Sequence, residues 1–216
     1  MNVTIKSDAA EHVPVILILT GGDDENTKII QCLENHKNQA AFVFINGFDW
    51  NRDLSLWPAP AVWKDTPDFS GGANEFLYEI INGLLPQLPN TLGFEPTWYG
   101  IAGYSLAGLF AVYSLYLTDV FRRAVSASGS MWYDGFCDFA LNNEFAGKPD
   151  RIYFSLGNRE SRTRNQKVAA TEDNTRTICG YYQNIGIRTV FEMNPGNHFQ
   201  NPPGRLAKGI RWILEN

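Results

Sequence analysis

The stretch Trp98-Tyr99-Gly100-Ile101-Ala102-Gly103-Tyr104-Ser105-Leu106-Ala107-Gly108-Leu109-Phe110 constrains this chain more than any other. It begins as an apolar run short enough for a buried strand and passes through small residues centred on Ser105. It then continues to Leu117 as an apolar segment long enough for a helix. Strand, sharp turn and helix in so few residues leave little room at the bend, so Gly103 and Ala107, two before and two after the serine, are small. The pattern differs by one methyl, on Ala107, from a Gly-x-Ser-x-Gly elbow. Such an elbow holds its serine on a strained turn with the hydroxyl clear of the backbone at a sheet edge.

The rest of the chain repeats the alternation. Val3-Thr4-Ile5 reads as a short edge strand. Val13 to Leu19 and Ala40 to Ile45 are apolar on both faces, as strands inside parallel sheets are. Arg123 to Ser128, Arg151 to Leu156 and Arg188 to Met193 read as three more strands. Between them Ile29, Ile30 and Leu33 mark one helix. Phe76, Leu77, Ile80, Ile81, Leu84 and Leu85 mark another, which Pro86 is expected to stop. Val168, Thr171, Thr175, Ile178, Tyr182 and Ile185 give an amphipathic helix with Gly186 suited to its C-terminal cap, and Leu206, Ile210 and Ile213 line a closing helix. Strands alternating with helices predict a mostly parallel sheet with helices on both faces, and ligands in such sheets bind beyond the carboxyl ends of the strands.

The longest irregular stretch, Asn46 to Gly72, carries Trp50, Trp57, Trp63 and the prolines Pro58, Pro60 and Pro67, with no helix expected. Three tryptophans there need either shelter from water or a ligand to touch. A chain of 216 residues fits one α/β domain, 1–216. A net charge of −5 with scattered Lys and Arg argues against nucleic acid or an anionic membrane as partner. Cys32, Cys137 and Cys179 are odd in number and far apart, and the chain shows no signal-peptide pattern, so a reduced cytoplasm is the expected location. The run Val13–Leu19 is too short to span a bilayer. The acids Asp23, Asp24 and Glu25 are read as complementing a helix N-terminus rather than holding a metal.

A serine hydroxyl is a weak nucleophile at neutral pH and needs a base within hydrogen-bond reach. His198 is the best candidate of the three histidines, because its loop, Asn194-Pro195-Gly196-Asn197-His198-Phe199, follows a strand at the edge where Ser105 belongs. The acid that would orient the imidazole is expected between them in sequence, the order serine, acid, histidine being that of α/β-hydrolases. Glu160 fits, just past the strand ending at Leu156, with Asp173 in reserve. Glu160 reads equally as a surface acid paired with Arg159 or Arg162. Asn158, in the tightest turn position, cannot carry the charge. Backbone amides of Leu106 and Gly22 are the candidate oxyanion donors, although Gly22 could serve turn geometry alone.

These residues resemble the putative esterase branch of the α/β-hydrolase superfamily, a group that includes antigen 85, esterase D and the enterobactin esterases. The resemblance runs over most of the chain and rests on Gly103 to Gly108, Ser155 to Glu160 and Asn194 to Phe199. It implies Ser105 as nucleophile, His198 as base and Gly22 as oxyanion donor, on an α/β-hydrolase fold with no separate lid domain. Similar enzymes often carry Asp where Asn158 stands, which leaves Glu160 or a Ser-His dyad. Arg52 to Trp57 resembles the Arg-containing segment such enzymes place beside the substrate. Trp50, Arg52, Trp57 and Trp132 are therefore the expected pocket walls. The expected activity is cleavage of a small-molecule carboxylic ester through an acyl-enzyme, without metal or cofactor. An acyltransferase using the same acyl-enzyme and a binding module that keeps only the elbow are the alternatives.

Overall fold

Seven of the apolar runs pair into one sheet in the computed structural model, which describes residues 1–9 and 12–215. In chain order the strands are β1 (Asn2–Lys6), β2 (Val15–Leu19), β3 (Ala41–Asn46), β4 (Tyr99–Tyr104), β5 (Phe121–Ala127), β6 (Arg151–Gly157) and β7 (Arg188–Asn194). Their spatial order is β1-β3-β2-β4-β5-β6-β7, with β1 antiparallel to β3 and every other pairing parallel. The order reverses between β2 and β4, the kind of switch point beside which open α/β sheets form binding crevices.

Successive side chains on a strand face opposite ways, so each central strand feeds two cores. Ile16, Ile18, Phe42, Phe44, Val125 and Tyr153 pack with Ile29 of helix α1 (Asp23–Cys32), and with Leu206 and Ile210 of the C-terminal helix (Pro202–Leu214). On the other face Val15, Leu17, Val43, Ile101, Ile152 and Phe154 pack with residues of α2 (Ala73–Glu79), α3 (Leu106–Leu117) and α4 (Thr171–Asn184). The C-terminal helix is α5. Every residue of α3 from Leu106 to Tyr116 is buried, which explains why its sequence is apolar nearly all round.

Helix α4 ends as expected of a glycine beyond its last turn. Gly186 has φ 89° and donates its amide to Gln183 while Ile187 donates to Tyr182, the paired bonds of a Schellman ending. Pro86 does not stop its helix, contrary to expectation. After α2 the chain continues through a wide π-helical turn at Ile80–Leu84, a tight turn at Leu85–Gln87 and a further helix at Leu88–Leu92. Pro86 and Pro89 fall in the first turns of these short segments, where a missing N–H loses no partner. The stretch expected to be irregular also holds structure. Asp49 caps a one-turn helix at Trp50–Asp53, accepting from the Asn51 and Arg52 amides, and Pro58–Ala59 pairs with Phe69–Ser70. Among the described residues no helix is long and apolar enough to cross a membrane.

Candidate active site

Four adjacent parallel strands, β4 to β7, deliver side chains to one edge. Ser105 follows β4, Ser128 follows β5, Glu160 lies three residues past β6, and His198 lies four past β7. Ser105 has φ 59° and ψ −123°, a region L-residues enter only where the surroundings enforce it, at a cost of about 1–3 kcal/mol. The enforcement is visible. Its amide donates to the Ala127 carbonyl on β5 (3.1 Å), and its carbonyl accepts from Leu109 and Ser130 (3.1 Å each). A Cβ on Gly103 would lie 2.3 Å from the Ala107 carbonyl, so the chain doubles back only because Gly103 has none.

At about 4.8 Å per strand, the ends of β4 and β7 are about 14 Å apart, and the histidine loop must fold back over the sheet edge. Several hydrogen bonds hold it there. The Asn158 amide donates to Asn194, the Arg159 amide to Gly196, and the Gly196 amide to the Asn158 side chain (3.0 Å). The Tyr104 hydroxyl donates to the His198 carbonyl (2.5 Å). Asn158 is thus a loop clasp, through its own amide N–H and its side-chain oxygen.

The result is a connected line of atoms. His198 Nε2 stands 3.2 Å from Ser105 Oγ, and His198 Nδ1 stands 2.8 Å from Glu160 Oε2. An ionised carboxylate can only accept, so Nδ1 carries the proton and Nε2 is left to accept from the serine hydroxyl. The other carboxylate oxygen of Glu160 accepts from the Gly157 amide (2.5 Å), the Ser128 hydroxyl (2.7 Å) and the Arg205 guanidinium (2.9 Å). Burial by itself raises the Glu160 carboxyl. The hydrogen bonds from His198, Gly157 and Ser128, with the charge of His198, outweigh it and hold the group below the ordinary carboxylate range. Arg205, also buried, acts in the same direction.

Arg205 is the residue the sequence reading missed. Its side chain is 3% exposed and donates to Glu160, Ser128, Tyr104, and the carbonyls of Pro195 and Asn197. One guanidinium therefore ties the acid to the histidine loop. A charged residue beside the apolar stripe Leu206, Ile210 and Ile213 was the available signal, since arginine is rarely buried without a partner. Asp173, the reserve acid, is exposed on α4.

The backbone donors are placed by the same elements. Leu106 is the first residue of α3, so its N–H has no carbonyl one turn back. Leu19 pairs with Gly103, which brings the loop Thr20-Gly21-Gly22 alongside the elbow. The Gly21 amide is occupied by the Glu25 carboxylate (2.8 Å).

A cleft of about 250 Å³ opens over Ser105 and His198, and Trp132 lines it. Trp50, Arg52 and Trp57 do not, and that expectation is corrected. Trp57 packs edge-on against Tyr113 and Tyr133 and donates its indole N–H to the Asp134 carbonyl (2.9 Å). Trp50 stacks on Phe48 at 5.7 Å, and Arg52 pairs with its neighbour Asp53 at 2.7 Å. The loop folded its aromatics against the core, leaving Trp63 at the cleft, edge-on to Trp132 at 5.7 Å. Arg159 and Arg162 also line the cleft and do not pair with Glu160.

A family model described as "Putative esterase" matches residues 1–198. The chain is 28% identical over 113 residues to the uncharacterised protein YbbA of Bacillus subtilis (strain 168); the match covers 51% of this chain and 45% of that protein, less than half its length. Among solved structures, the siderophore hydrolase EstB of Aspergillus nidulans superposes with a TM-score of 0.79 at 19% identity, covering 99% of this chain and 90% of that one. An IroE-like serine hydrolase of Shewanella oneidensis gives the same score and identity, covering 98% and 74%.

Proposed function

Because this chain belongs to the putative esterase family and has the α/β-hydrolase fold, we propose that it cleaves a carboxylic ester through an acyl-enzyme on Ser105. The observation that carries this reading is the unbroken line from Ser105 Oγ through the imidazole of His198 to the ionised Glu160. Ser105 Oγ attacks the acyl carbon while His198 Nε2 takes its proton. The tetrahedral oxyanion is held by the amides of Leu106 and Gly22, which favour the transition state over the flat ground-state carbonyl. As the carbon–oxygen bond to the alcohol breaks, His198 returns the proton to the leaving oxygen. Water then repeats the sequence, losing a proton to His198 and releasing the acid with Ser105 restored.

Glu160 stabilises the imidazolium that forms twice per turnover and fixes its tautomer. Arg205 is a positioning residue, holding the acid and the histidine loop in register. A complete acid, base and hydroxyl line supports chemistry over a binding module that retains only the elbow.

Rapid mixing with 4-nitrophenyl acetate tests the reading. A burst of nitrophenolate equal to the enzyme present, absent in Ser105→Ala, is expected; linear release of the same size in both proteins contradicts it. Added acceptor alcohols separate the rival: acid as the main product supports hydrolysis, and a new ester as the main product supports acyl transfer.

A further inference from the structure

The turn after β6 does two things at once. It sends Glu160 inward, where the carboxylate is buried and fully partnered, and it leaves Arg159 and Arg162 on the wall of the cleft above Ser105. No carboxylate among the described residues pairs with either guanidinium. Among the described residues Arg52, Arg122, Arg123, Arg176 and Arg205 each have one, and of the arginines without one only Arg159 and Arg162 line this cleft. Among the described residues Glu160 is the only acid lining the cleft, and Arg205 already offsets its charge. Two unpaired cations thus face one small cleft on a chain whose net charge is −5.

The other walls are aromatic. Phe199, next to His198, is 83% exposed and Trp63 is 54% exposed, while Trp132 forms the floor beside them. Apolar rings of this size gain by being covered, and ring partners add specific edge and face contacts. At about 250 Å³ the cleft lies below the ~300–1,000 Å³ of pockets that take drug-sized ligands, so it suits one ring rather than several.

We propose that the preferred substrate of this site is a small ester whose acyl half carries one aromatic ring and a carboxylate, the ring lying against Trp63, Trp132 and Phe199 and the carboxylate meeting Arg159 and Arg162. This rests on the ester-hydrolase reading above and assigns Arg159 and Arg162 as specificity-determining residues for it. Guanidinium forks match a carboxylate in geometry as well as charge, so the preference is for a planar anion rather than for any polar group.

The test compares three probes: 4-nitrophenyl acetate, 4-nitrophenyl benzoate and the mono-4-nitrophenyl ester of terephthalic acid. The expected result is a kcat/KM for the terephthalate ester about three- to tenfold above that for the benzoate, the size that two partly exposed ion pairs supply. The ratio falls towards one in the Arg159→Gln/Arg162→Gln variant and in the wild type at 1 M salt, where screening is nearly complete. A wild-type ratio of one or less, or a ratio unchanged in the double variant, overturns the proposal. Turnover of the acetate tells the two failures apart. If acetate is cleaved without any charge preference, only the substrate assignment falls. If no probe is cleaved, both readings fall.

Discussion

Glu160 offers one oxygen to His198 and the other to Arg205, Ser128 and the Gly157 amide, so its two roles can be separated by substitution. Glu160→Gln keeps the shape but loses the charge, and turnover should drop by about 10³–10⁴ with the elbow intact. Arg205→Met leaves a buried carboxylate without its main cation and should cost about 3–5 kcal/mol of stability, read from urea unfolding. Combining the two removes both charges together. The double variant should therefore lose clearly less stability than the sum of the single losses, while its turnover is no better than that of Glu160→Gln. Strict additivity in stability would show that the pair does not act as a unit. At this scale the sequence displayed the serine and the histidine plainly, because a small-residue bend and a loop after a strand are local patterns. It left the acid open between Glu160, Asp173 and none, since the choice depends on Arg205, 45 residues further on. The wall residues Trp50, Arg52 and Trp57 were misplaced because sequence does not say which way a long loop turns its rings.

The elbow is the element on which the site depends, and its tolerance is asymmetric. Gly103→Ala drives a methyl into the Ala107 carbonyl 2.3 Å away and should cost about 3 kcal/mol or more. Ala107→Gly puts no atom into the bend and should cost only about 1 kcal/mol, the helix propensity lost in α3, with most turnover kept. Equal losses at the two positions would contradict the close approach described here. The ending of α4 offers a milder comparison: Gly186→Ala at φ 89° should cost about 1–2 kcal/mol in thermal unfolding. All seven strands and the four long helices α1, α3, α4 and α5 were legible as elements, because period and length separate them. Pro86 was misread because a proline breaks a helix interior but is welcome in a first turn, and sequence alone does not reveal where the helical segment widens and restarts.

Across the whole molecule the sheet gathers the ends of β2 and β4 to β7 at one edge, and acidification should reach that edge through Glu160. Its folded-state pKa is depressed, so its stabilising contribution is present above the ordinary carboxylate range and disappears as pH falls through the lower folded value. The stability advantage of the wild type over Glu160→Gln should accordingly be full near neutrality and shrink as the pH is lowered below the ordinary carboxylate range. An advantage that grows on acidification has the wrong sign for this account. The central claim, that the fold brings an activating imidazole to a serine 93 residues away, is tested most directly by fluorophosphonate labelling followed by peptide mass mapping. The account predicts one equivalent of label on Ser105 in the wild type, formed about 10²–10⁴ times more slowly in His198→Ala. Label on a different residue, or labelling of Ser105 at the same rate in both proteins, would contradict it.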